Sequence, residues 1–155
     1  MSEYSAKVAW KRQPEEAFSD NKYSRGHSWE FDGGAVVAAS SAPSIVPLPY
    51  SVEANVDPEE AFIASLSSCH MLFFLAIAGK RGFVIDQYID NSIGIMEKDG
   101  DGKISITKVT LRPQVTFAGD TQPTLEKLEK MHHQSHDQCF IANSVKTEVV
   151  IAVVL

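Results

Sequence analysis

The chain has 155 residues, 44% hydrophobic and 22% charged, enough apolar material for one ordinary core, and it is expected to fold as a single domain over residues 1–155. A formal net charge of -6 and a pI near 5.3 argue against nucleic acid or an anionic membrane as partner, because such surfaces need clustered Lys and Arg to displace counterions. Met1 to Lys7 contain no basic stretch leading into an apolar one, so no secretory signal is expected.

Val8 to Arg12 and His27 to Asp32 alternate as strands do, and Gly33-Gly34 supplies a tight turn before the strand Ala35 to Ala39. Pro43, Pro47 and Pro49 each lack the donor that a ladder needs, so Ser40 to Tyr50 reads as an irregular loop. Asp57 as N-cap, Pro58 at the first helical position and Glu60 in a capping-box place predict a helix that runs to about Lys80, with Gly82 ending it. Its apolar run is about long enough to span a bilayer. Ser65, Ser67, Ser68 and His70 interrupt that run, and Asp57, Glu59 and Glu60 flank it, which fits a buried helix of a soluble protein and no membrane.

Phe83 to Ile95 and Ile104 to Phe117 read as two long strands joined by an Asp-Gly turn at 97–103. The turn resembles a calcium loop only superficially. Counted from Asp99, position six is Ile104 rather than Gly and position twelve is Thr110 rather than Glu. Thr121 and Pro123 open a second helix with a stripe of Leu125, Leu128, Met131 or His132, Ser135 and Cys139, and Ser144 to Leu155 forms a last strand.

Cys69 and Cys139 are the only thiols. With no secretory signal the compartment is expected to be the reducing cytoplasm, where a lasting disulfide is unusual and a transient catalytic one is not. Two other readings remain open on the residues alone. Free cysteine is among the most buried residue types, so Cys69 could be core filling. His132, His136 and Cys139 also share one helical face and, with Cys69 or His70, could hold zinc or copper. His70, pointing about 100° away from Cys69 around the helix, is expected to pack or bond elsewhere.

The pattern Asp57-Pro58-Glu59-Glu60, Ser65-Leu66-Ser67-Ser68-Cys69-His70, then His136-Asp137-Gln138-Cys139 and Asn143-Ser144 resembles the osmotically induced and organic-hydroperoxide-resistance proteins, the OsmC/Ohr superfamily. The resemblance runs from about Tyr23 to the end. It implies an α+β fold with antiparallel sheets wrapped around two central helices, in an intertwined homodimer whose site forms at the interface. It further implies a thiol peroxidase without metal, heme or flavin, acting on organic or lipid hydroperoxides and recycled by a dithiol reductant. On this resemblance Cys69 is the nucleophile, Cys139 resolves its sulfenic acid, and Arg25, held in a bidentate pair by Glu59, steadies the thiolate. Phe140 stands where the family commonly has proline after the second cysteine, which leaves room for a non-catalytic dimeric stress or binding protein of the same fold. Phe62, Phe73, Phe74 and Phe140 are expected to form an apolar entrance.

Overall fold

The computed structural model describes all 155 residues, which divide by their contacts into two compact units, Met1–Ala61 and Phe62–Leu155. The first unit holds an antiparallel sheet of β1 (Lys7–Ala9), β2 (His27–Glu30) and β3 (Val36–Ala39), in that spatial order. Lys7 faces Glu30 in the register and pairs with it at 2.8 Å. Gly34, at φ +91°, turns the chain between β2 and β3, as the Gly-Gly pair predicts. Between β1 and β2, Trp10, Phe18 and Tyr23 form an aromatic cluster, with Phe18 stacked on Tyr23 at 4.5 Å and Trp10 edge-on to Tyr23 at 5.5 Å. The proline-bearing segment is irregular, as expected. Buried Ser40 anchors it by donating its N–H to Val56 O and accepting from Val52 N–H.

Helix α1 (Pro58–Lys80) begins with the reciprocal capping box expected at this place. Glu60 N–H donates to Asp57 Oδ1 at 2.8 Å, and Asp57 N–H donates to Glu60 Oε2 at 3.2 Å. The helix ends in a Schellman turn around Gly82 at φ +82°, where Phe83 N–H bonds Ala78 O and Gly82 N–H bonds Gly79 O. By length and a mean hydropathy of 1.9, α1 could cross a membrane. In this fold its Leu66, His70, Phe74, Ile77 and Ala78 are buried in protein instead.

The two long strands expected at 83–95 and 104–117 are in fact four. β4 (Ile85–Asp90) pairs only with β7 (Pro113–Phe117), while β5 (Ile93–Lys98) and β6 (Ile104–Leu111) pair with each other in a second sheet. Both strands break at the same level, and hydrogen bonds made at the break compensate for the interrupted ladder. Arg112 N–H donates to Asp90 Oδ1 and Arg112 Nε–H to Asn91 O, while Pro113, with no N–H to offer, sits first in its strand. The 99–103 turn is a hairpin as expected, closed by Asp99 Oδ1 accepting from Asp101 and Lys103 N–H. Lys146 on Asp99 Oδ2, with those backbone donors, holds the Asp99 carboxyl down to about 2. The last strand, β8 (Glu148–Ile151), is shorter than expected because Ala142–Ser144 turn as a 3-10 helix, and it runs parallel to β6.

Helix α2 (Leu125–Gln138) is capped by Thr124, whose hydroxyl accepts from Lys127 N–H. Phe74, Ile77 and Ala78 share a core with Leu128 and Met131, and a second cluster gathers Leu66 with Val109 and Leu111. Gly94 lets β5 approach α1: a Cβ there would stand 2.6 Å from Ile63 Cδ1.

A candidate thiol site

Where α1 and α2 come together, the two cysteines meet as free thiols, Cys69 half-buried and Cys139 buried. The helical stripe expected on α2 carries Cys139 to this point. Its residue is the C-cap, with N–H bonded to His136 O, so the thiol stands where the helix stops. Burial, and then the neighbouring Cys69, push the Cys139 thiol up to about 11. Ala142 N–H offers Cys139 Sγ a weak opposing contact at 3.4 Å. Cys139 therefore stays a thiol at neutral pH, beside Cys69.

The next residue pair along the same two helices is His70 with His132, 1% and 2% exposed. His70 Nε2 and His132 Nδ1 lie 2.9 Å apart, and the rings are within 5° of parallel with centroids 5.3 Å apart. With the nitrogens so much closer than the centroids, the rings meet edge to edge in one plane rather than stacking. One nitrogen donates and the other accepts, as two neutral imidazoles can. Desolvation, followed by the neighbouring His136, lowers His70 to about 4, with Asp90 opposing; desolvation, then His70, lowers His132 to about 3. Phe74 lies flat on His132 at 4.1 Å. The expectation that His70 bonds away from Cys69 is met by this pair.

The metal alternative is not assembled. His132 and His136 share a face of α2 as their spacing requires, yet no three His, Cys, Asp or Glu side chains converge as ligands. His132 Nδ1 is committed to His70.

In the first unit, the expected Arg25–Glu59 fork is not formed. Arg25 Nη1 donates to Asn21 O and Tyr23 O, its Nη2 donates to Asn21 Oδ1 at 2.7 Å, and its guanidinium lies 3.6 Å over the Tyr23 ring. Neighbours close in sequence thus satisfy the donors that the fork would have used. Glu59, on the first turn of α1, keeps a buried Oε2 with no hydrogen-bond partner.

The apolar entrance is also smaller than expected. Phe74 is fully buried in one core cluster and Phe62 packs on the other, leaving Phe73 and an exposed Phe140 as an edge-to-face pair 5.0 Å apart, each close in sequence to one thiol. Sequence reasoning did not single out Asp90, which accepts from Ser67 Oγ at 2.5 Å and faces the histidines, or Tyr88, whose buried hydroxyl has no partner. Burial and then Asp90 raise the Tyr88 phenol above its usual range. No local motif joins residues of α1, β4 and α2.

Residues 52–154 match the family model described as OsmC-like protein. No functionally curated protein matches the sequence. Among solved structures, an OsmC-like protein of unknown function from Vibrio cholerae is 62% identical, covering 99% of this chain and 100% of that one, with a TM-score of 0.98. An organic hydroperoxide resistance protein OsmC from Legionella pneumophila aligns over 100% of both chains at 13% identity and TM-score 0.70. The organic hydroperoxide resistance protein OhrB of Bacillus subtilis covers 97% of this chain and 98% of its own at 18% identity and TM-score 0.63. At these low identities the last two show a shared α+β fold. With two thirds of its length under one family model, and a solved relative alike along the whole chain, the protein belongs to the OsmC-like family.

Proposed function

We propose that this protein is a thiol peroxidase that reduces organic hydroperoxides through Cys69 and Cys139. The observation that supports it best is that the two free thiols are neighbours, with burial and Cys69 holding Cys139 in its protonated form. Such a pair divides the labour: Cys69 as thiolate is the nucleophile, and Cys139 waits as the thiol that resolves. In the reaction Cys69 sulfur attacks the terminal peroxide oxygen, the O–O bond breaks, and the alkoxide takes a proton and leaves as the alcohol. Cys69 is left as a sulfenic acid. Cys139 sulfur then attacks the Cys69 sulfur, its proton leaves with the hydroxide as water, and a disulfide forms. A dithiol reductant restores both thiols by exchange.

The thiolate needs a cation, and Arg25 is the side chain proposed for it. This asks the Asn21–Arg25 segment to exchange its internal bonds for a pair with Glu59, whose unpartnered Oε2 is open to a guanidinium. A homodimer fits the outward face of α1, where exposed Ala64, Ser68, Leu72, Ala76 and Gly79 repeat at helical spacing and leave an apolar stripe for a second copy. The phenylalanines beside the thiols favour organic over hydrogen peroxide, and the cytoplasm suits a pair of cysteines kept reduced.

The test is turnover of an alkyl hydroperoxide with a dithiol reductant, with Cys69→Ser as control. Turnover in the wild type and none in Cys69→Ser is expected; equal rates in the two would overturn the enzyme. A catalytic efficiency higher for hydrogen peroxide than for alkyl hydroperoxides would overturn the substrate class.

A further inference from the structure

The buried imidazole pair is an expensive thing for a small core to hold. His70 Nδ1 and His132 Nε2 are both buried without a partner, so the pair satisfies only half of its polar nitrogens. An apolar pair of the same shape would avoid that desolvation cost. What an apolar pair could not supply is direction. The rest of the buried contact is Phe74, Ile77 and Ala78 against Leu128 and Met131, which is cohesive but resists sliding only weakly. Another directional tie, Arg81 just past α1 donating to Gln134 Oε1 at 2.8 Å, is exposed to water and well past Cys69 along the chain. A disulfide has strict demands, with Cβ atoms roughly 3.5–4.5 Å apart. One residue of slip along a helix is about 1.5 Å, enough to take two cysteines out of that range.

We propose that the His70–His132 hydrogen bond is a register pin: both are positioning residues that lock α1 against α2 so that the Cys139 sulfur reaches Cys69. The two contacts share a short stretch of α1, because Cys69 and His70 are consecutive there, while their partners His132 and Cys139 stand about two turns apart, on α2 and at its C-cap. The pin thus fixes one of the points at which the helices touch. The bond lies in the plane of both rings, so rolling or sliding either helix breaks it. Phe74 stacked on His132 holds that ring in place. The pin concerns the resolving step of the proposed peroxidase and rests on that reading for its biological purpose, although its effect on the two thiols does not require peroxide.

The geometry tells which replacements should work. His132 uses Nδ1, whose position the side-chain amide of Asn can match, whereas Gln reaches past it; His70 uses Nε2, which Gln can match and Asn cannot. His132→Asn and His70→Gln should therefore keep disulfide formation close to the wild-type rate. His132→Gln and His132→Phe should slow it by about tenfold, the scale of one directional hydrogen bond. The first readout is single-turnover oxidation by an alkyl hydroperoxide, with the sulfenic acid trapped by dimedone and the disulfide followed by mass. Oxidation of Cys69 should be unchanged while the sulfenic acid persists longer. The second readout is equilibration with a dithiol redox buffer, in which the effective concentration of the two thiols should fall about tenfold in His132→Gln and hold in His132→Asn. If the wild type ignores hydroperoxide, the peroxidase reading fails while this second measurement still decides the pin. Equal effective concentrations in His132→Asn and His132→Gln, or a slowing of both chemical steps together, would overturn it. Because those two variants are alike in polarity, the comparison survives if His132→Phe fails to fold.

Discussion

The two helices solve different problems. On α2 the side turned to protein carries Leu128, Met131, His132 and Ser135, and the rest, apart from Leu125, is polar or charged, the ordinary amphipathic arrangement. α1 is apolar on both sides: Leu66, Phe74, Ile77 and Ala78 are buried, while Leu72 remains 60% exposed among small residues. A helix with one apolar stripe is complete when it docks on its core. One with two stripes has docked only half its surface, and the comparison shows α1 with a second face left over by the core, the face assigned to the proposed dimer.

The comparison can be broken most forcefully on the buried side. Phe74→Ala should lower the unfolding free energy by about 4 kcal/mol, measured by denaturant titration, because the ring is fully buried and also supports His132. Acid should come next. The unfolded chain takes up protons on His70 and His132 near 6.5, whereas the folded chain resists until about 4 and 3, with His136 and Asp90 as the charged neighbours. Stability is thus fully present above 6.5 and falls as pH drops from there towards 4, by roughly 3 kcal/mol for His70 alone. Unfolding midpoints in His70→Gln should show a flatter slope over that window. On the other stripe, Leu72→Ala should leave the stability of the single chain nearly unchanged and weaken self-association by about tenfold, seen by sedimentation at several concentrations. A stability loss without a change in association would remove the double role from α1. The smallest effect is expected on α2, where Thr124→Ala should cost about 1 kcal/mol through the lost cap.

How far the sequence spoke depended on whether a feature is local. The start and stop of α1 were legible because Asp57, Pro58, Glu60 and Gly82 act on the backbone within a few residues of themselves. The strand breaks at Asn91-Ser92 and Arg112 were not, since hydrophobic alternation continues through both and the cause is a carboxylate and an amide 22 positions apart. The meeting of Cys69 with Cys139 could be suspected from the family pattern alone. His132 and His136 gave the right helical face and the wrong partner, because ligand spacing along one helix says nothing of what the facing helix presents. Arg25 shows the converse: a motif nominated Glu59 for it, and Asn21 and Tyr23, its near neighbours, hold it instead.

Asp90 carries a last consequence. Its two oxygens receive the Ser67 hydroxyl of α1 and the Arg112 amide at the point where both long strands change sheets. One carboxylate is therefore a common hinge post for the helix that bears Cys69 and for the seam between two sheets. A strain applied to that helix, such as the pull of a newly closed sulfur bridge two residues further on, has a direct mechanical route into the seam, so the amide protons around Arg112 are where oxidation should first be felt.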